Sequence, residues 1–174
     1  MGPAKNFNSP TYGSIALTEL VAKMGSFILN CTDCNYRLII GSDSLPNGTG
    51  QVYLVTAIVL HRVGRGGIYF WQRELTKPIH SLRERMYAEA LASIAMAQRL
   101  EAITELQPML KHNIEIHVDI GAAGPTREMI QELVGMIIAH GYAAKTKPES
   151  FAASKVADRH TIPGPHFIYA PVIN

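Results

Sequence analysis

The run Leu38-Ile39-Ile40, leading into Gly41-Ser42-Asp43-Ser44, limits the possible folds of this chain more than any other stretch. A continuous apolar run of this kind reads as a strand buried on both faces, the position of a central strand in a mixed or parallel sheet. A carboxylate at the end of such a strand is costly unless something cationic meets it. Gly41 leaves room for a backbone or a ligand to come close. Asp43 has a second reading, because Ser-Asp-Ser before Leu45-Pro46-Asn47-Gly48 is also good turn chemistry.

The segments around this strand predict an α/β domain. Residues 1–13 are rich in Gly, Pro, Asn and Ser and are expected to form a flexible N-terminal arm, with residues 14–174 as a single domain. A first helix is predicted from Ser14 to about Leu29, on the stripe Leu17, Leu20, Val21, Met24 and Ile28. Gln51 to His61 and Ile68 to Leu75 read as strands, and the short Gly-rich links between them suggest an antiparallel meander. Arg62 and Arg65 at the hairpin are weak candidates for phosphate contacts.

A long helix is expected from Ser81 to Leu106. Its stripe Leu82, Met86, Glu89, Ser93, Met96, Leu100 and Ile103 steps by fours and threes along one face. Glu89 lies on that face, where an acidic residue is unusual; a salt bridge to Arg85 is the plain alternative. Asn113 to Ile120 reads as a strand with Ile114, Ile116, Val118 and Ile120 on one side and Glu115, His117 and Asp119 on the other. His117 is read as a hydrogen-bonded structural histidine. Gly121 to Thr126 leads into a helix from Thr126 to His140, whose start is either a tight connection or an anion site. Gly141 ends that helix. A short strand, Tyr142 to Thr146, and a last helix from Glu149 or Ser150 to His160 follow, with Phe151, Ser154 and Asp158 on one face.

Composition removes several classes. Hydrophobic residues make up 47% and charged residues 17%, which suits a globular domain rather than a disordered chain. The apolar runs are too short for a membrane span and no signal segment opens the chain, so a cytoplasmic location and no membrane partner are expected. The net charge of +2 is compatible with nucleic acid without demanding it. Cys31 and Cys34 lack a second pair for a zinc site and follow a helix rather than open one, so they are read as turn residues with neither metal nor redox role. No aromatic-rich platform for single strands is evident.

Gly41-Ser42-Asp43-Ser44, Arg85 with Glu89, Val118-Asp119-Ile120-Gly121, and Lys147-Pro148 through Ala152-Ala153-Ser154 to Ala157-Asp158-Arg159 occur in that order across about residues 14–160. In this order the chain resembles the ribonuclease H-like superfamily and, within it, the YkuK-like family. The resemblance implies a five-stranded mixed sheet in the order 3-2-1-4-5, flanked by helices, with an additional N-terminal helix. It also implies that Asp43 and Asp119 sit side by side, with Glu89 and Asp158 reaching them from helices. Such carboxylates cannot all stay ionised without a counter-charge, and all-oxygen ligands favour Mg²⁺ or Mn²⁺.

The activity implied is a two-metal nuclease acting on RNA or structured nucleic acid, with RNA, DNA or a hybrid as the partner and Asp43, Glu89, Asp119 and Asp158 as both metal ligands and catalytic residues. Lys145, Lys147, Lys155 and Arg159 are weak candidates for nucleic-acid contacts, and Lys155, Arg159 or His160 for helping protons or product leave. The alternative is a non-catalytic nucleic-acid- or metal-binding module of the same fold. Val118-Asp119-Ile120-Gly121 before Gly124 is also similar to a phosphate loop of actin-like ATPases. Those need two such domains, and this chain is too short, so no nucleotide cofactor is expected.

Overall fold

The computed structural model describes residues 6–103, 113–121 and 127–161, with the side chains of residues 153 and 154 left aside. Its elements are β1 (Phe7–Ser9), β2 (Gly13–Ile15), α1 (Leu17–Leu29), β3 (Tyr36–Pro46), β4 (Val52–Arg62), β5 (Gly67–Leu75), α2 (Leu82–Glu101), β6 (Ile114–His117), α3 (Ile130–Ala139) and β7 (Ala143–Lys145). A π-helical turn, Ala152–Ala157, and a 3-10 turn, Asp158–His160, follow. No helix among the described residues is long and apolar enough to cross a membrane.

The sheet is mixed and has seven strands in the order β2-β1-β5-β4-β3-β6-β7, rather than the five expected in the order 3-2-1-4-5. The two additional strands come from the N-terminal stretch. Its Gly, Pro, Asn and Ser content reads as a loose arm, yet residues 7–15 fold back as a hairpin and pair with β5 through Asn8 and Trp71. Phe7 is fully buried and Tyr12 stacks on Phe70, so two apolar anchors outweigh the turn-rich composition. The hairpin also moves the start of the first helix from Ser14 to Leu17.

β3 is central. It pairs antiparallel with β4 along its whole length, from Tyr36↔Arg62 to Pro46↔Val52, and parallel with β6 from Leu38↔Ile114 to Gly41↔His117. Its alternation divides the core. Leu38 and Ile40 pack with α1, α2 and α3 on one face. Ile39 packs on the other with Val55, Ala57, Val59, Tyr69, Trp71 and the turn residues Ala152, Val156 and Ala157.

α2 starts at the Ser81 cap, whose side chain accepts from the Glu84 N–H at 3.1 Å, and ends at Glu101. The expected extension to Leu106 runs partly outside the described residues. Met86, Glu89, Ser93, Met96 and Leu100 are buried as the stripe predicts, but Leu82, in the first turn, is exposed. Gly141 follows α3 at φ 89°, a left-handed position that suits glycine. The start of that helix at Pro125 and Thr126, and Gly124, lie outside the described residues.

The last helix is not a regular α-helix. An i→i+5 turn brings Ala152 and Ala157 onto the same buried side, where the small side chains allow the segment to lie close on Ile39 and Val59. Asp158 consequently falls in the 3-10 turn and is exposed, while Phe151 is half-buried. At the other end of β3, Cys31 and Cys34 form a disulfide, contrary to their reading as plain turn residues. The turn after α1 is closed by the Cys34 N–H bond to the Cys31 carbonyl at 3.3 Å, which holds the two side chains together.

Candidate acidic site at the end of the central strand

The parallel ladder between β3 and β6 stops at Gly41↔His117. Beyond it, the Val118 N–H bonds the Lys145 carbonyl at 2.9 Å and the Lys147 N–H bonds the Ile120 carbonyl at 2.8 Å, so this segment continues beside the β7 side. β3 has an antiparallel neighbour on one side and a parallel one on the other, and the crevice beyond such a switch is where open α/β sheets place ligands. Continuing the register by two residues sets Asp43 level with Asp119.

The faces of the four predicted carboxylates differ. Asp43 is on the side of Ile39, under the 152–160 segment. Asp119 alternates with Val118 and Ile120, which are buried on the α2 side, and so shares the face of Asp43. Asp158 approaches from the 3-10 turn. Glu89 comes from α2, on the opposite face, where it meets Ser44 rather than Asp43. Ser44 Oγ donates to Glu89 Oε1 at 2.6 Å and accepts from Arg85 Nε at 3.1 Å. The acidic group therefore straddles the end of β3. Among the described residues, no three His, Cys, Asp or Glu side chains are gathered as a metal-binding group.

Charge nevertheless reaches Asp43 and Glu89 from their acidic neighbours. Burial pushes the Asp43 carboxyl up to about 6, with the charges of Asp158 and Asp119 adding to it and the Ser44 N–H and Arg85 opposing. Burial pushes Glu89, only 3% exposed, up to about 8; the charges of Asp43 and Asp119 add, while the Ser44 hydrogen bond and Arg85 oppose. Glu89 is thus not the solvated partner of Arg85 that the plain reading allows, although Arg85 Nη2 does lie 3.9 Å from it.

Lys147 Nζ stands 3.1 Å from Asp119 Oδ1, outside hydrogen-bonding geometry, so that buried oxygen has no donor. A Cβ on Gly121 would meet the Lys147 Cβ at 3.3 Å, so the glycine makes room for the lysine stem. An all-oxygen donor set, a buried carboxylate oxygen with no hydrogen-bond donor and two carboxyls raised first by burial and then by the charge of neighbouring carboxylates fit a hard divalent cation.

The other candidates separate. Lys145 pairs with Glu149 at 2.9 Å. Lys155 and Arg159 are exposed, and Arg159 lies against the Tyr69 hydroxyl. His117 is buried, accepts from the Ala152 N–H at 3.3 Å and is lowered to about 4 by burial, as suits a structural histidine. His160 stacks on Trp71 with ring centroids 3.7 Å apart. Arg62 holds the end of α1 through the Phe27 carbonyl and Tyr36, far along β3 from Asp43. Ser44 is a functional-site residue that the sequence does not single out; its place directly after Asp43 is the available signal.

A family model described as ribonuclease H-like matches residues 19–162. A protein of Bacillus subtilis (strain 168), named uncharacterized protein YkuK, is 32% identical across 89% of this chain and 96% of its own length. No solved structure matches the chain significantly.

Proposed function

The chain belongs to the ribonuclease H-like family and is a relative of that Bacillus protein, and from this premise we propose that it is a divalent-metal-dependent nuclease acting on RNA, DNA or a hybrid of the two. The observation that carries the reading is that Asp43, at the end of the central strand, feels the charges of Asp158 and Asp119, and buried Glu89 those of Asp43 and Asp119, with Arg85 and Lys147 as the cations beside them. Burying Asp43 and Glu89 near further carboxylates costs stability, and cation binding is a function that would offset it.

Mg²⁺ or Mn²⁺ bound there supplies an activated water and a counter-charge for the leaving oxygen of a phosphodiester. Asp43, on which the charges of Asp158 and Asp119 both act, would be the central ligand. Asp119, through its buried Oδ1, and Glu89 would be further ligands. Asp158, exposed on the 3-10 turn, would orient a water, and Lys147, beside Asp119, would meet the phosphate.

The test is cleavage of RNA, DNA and hybrid substrates by the full chain with Mn²⁺ or Mg²⁺, beside a chelated control. Metal-dependent cleavage of at least one substrate is expected. Failure on every substrate, with metal still bound, favours a non-catalytic binding module instead.

A further inference from the structure

The sheet face that carries Asp43 continues past the cover of the 152–160 segment. Asp43, Val55 and Arg73 are partners across β3, β4 and β5, and the next row on the same face is Leu45, Tyr53 and Leu75. Leu45 is 37% and Leu75 49% exposed, and Arg73 is exposed. The Arg73 guanidinium lies over the Tyr53 ring, 5.5 Å from its centroid. Isolated exposed apolar residues are ordinary. Here two leucines flank an aromatic ring in one contiguous row with a cation above it, and the row borders the acidic site. Tyr53 is a diagonal neighbour of Asp43, a separation of about 7–8 Å.

The charge on this face selects among occupants. Arg73 sits on it in one row with Asp43, and exposed Lys155 and Arg159 lie, with Asp158, on the segment that borders it; a divalent ion on the carboxylates would leave the cations in excess. Glu74 belongs to the opposite face by alternation. A cation over a half-buried aromatic ring suits a phosphate beside a base that stacks, and aromatic stacking accepts any base.

We propose that Tyr53 and Arg73 form a docking subsite for an unpaired nucleotide of a single-stranded nucleic acid, with the base on Tyr53, its phosphate on Arg73, and the strand led toward Asp43. This deepens the nuclease reading and rests on it for the direction of the strand, while binding itself does not require turnover.

Trp71, the only tryptophan of the chain, lies two residues from Arg73 on the same face and reports on its occupation. The experiment titrates the full chain with dodecamers of single-stranded RNA, single-stranded DNA and the matching duplex, in Ca²⁺ buffer, following Trp71 fluorescence and oligonucleotide anisotropy. Single strands are expected to change Trp71 emission and to bind more tightly than the duplex. Tyr53→Ala is expected to weaken single-strand binding by about 5- to 100-fold, with Tyr53→Phe restoring it. Arg73→Met is expected to reduce the salt slope by about one unit. Leu91→Ala, exposed on α2, serves as a control that leaves binding unchanged.

The proposal is overturned if wild type binds no single strand, or if Tyr53→Ala and Arg73→Met both bind as wild type does. It is also overturned if these changes alter melting or oligomeric state but not affinity, the result expected when another part of the chain or a second copy covers the face. Binding that depends on Tyr53 without cleavage under any metal supports the subsite and rejects the nuclease reading. Cleavage with a KM indifferent to Tyr53→Ala rejects the subsite and leaves the nuclease reading standing.

Discussion

Ser44 Oγ donates a 2.6 Å hydrogen bond to Glu89 Oε1, linking the residue after Asp43 to the acidic residue buried on α2. The same oxygen accepts from Arg85, so one hydroxyl sits between the acid and its cation. On the same face, Ser42 bonds both Thr56 and Ser93 at 2.9 Å. The end of β3 nearest α2 is therefore a hydrogen-bonded polar layer, which is how a carboxyl is tolerated under a packed helix.

Ser44→Ala leaves Glu89 and Arg85 without that partner. An unsatisfied buried polar group costs about 1–3 kcal/mol. For a chain of this size that lowers Tm by about 3–10 °C. The bond also opposes the upward shift of Glu89, so the variant's Glu89 should titrate at higher pH than the wild type's. Thermal melts and a carboxyl-resolved NMR titration check both. An unchanged Tm would show that Ser44 is not the support of Glu89.

The raised carboxyls set a sign for stability against pH. Asp43 moves from 3.8 to about 6 and Glu89 from 4.5 to about 8. Between those limits the native state holds protons that the unfolded chain has released. Their contribution is full below about pH 4 and is lost as pH rises through 6 and then 8. The metal-free protein should therefore lose stability from pH 5 to 9, by on the order of a few kcal/mol. Glu89→Gln should flatten the part between 6 and 8. Melting curves of both proteins in EDTA give the comparison. A wild-type curve that rises with pH over this range would contradict the account.

Much of the framework was legible because long strands declare themselves. Residues 36–46, 52–62 and 67–75 alternate or run apolar without interruption, and the steps of Met86, Glu89 and Ser93 fix the buried side of α2. The N-terminal hairpin was not legible, since its strands are three residues each and draw their stability from Phe7 and Tyr12 packing on distant residues. The π-helical turn was missed for a related reason: small residues at 152 and 157 suit either helix period until the sheet beneath them is known. At the site, the sequence placed Glu89 on the buried side of α2. That it faces Ser44, across β3 from Asp43, depends on how the helix is seated. Tyr53 and Arg73 carry no motif and meet only through strand register.

The disulfide offers an independent check on the turn after α1. Its loop is short, with a sequence separation of 3, so chain-entropy arguments limit its contribution to about 2 kcal/mol. It lies at the far end of β3 from Asp43. Reduction, or Cys31→Ser with Cys34→Ser, should lower denaturant stability by no more than that and leave any metal-dependent cleavage within about twofold, because surface changes distant from a site rarely reach it. A large loss of activity on reduction would tie the turn to the site.

Asp43→Asn and Lys147→Met make opposite changes to the same charge balance. The first keeps size and removes a negative charge from the position that Asp119 and Asp158 both act on. It should ease repulsion, raising Tm of the metal-free protein, and lower metal affinity and cleavage by at least about 10²-fold. The second removes the cation 3.1 Å from Asp119, leaving the carboxylates less compensated. It should lower Tm without metal and make the stabilisation on adding Mn²⁺ larger, since a bound ion then replaces a missing counter-charge rather than displacing a present one. Because binding requires deprotonated carboxylates, Mn²⁺ affinity in both wild type and Lys147→Met should rise with pH and release protons. Calorimetry in two buffers of different ionisation enthalpy measures that release. If Asp43→Asn and wild type bind Mn²⁺ alike, or if cleavage survives both this substitution and EDTA, the acidic site is not where the metal acts.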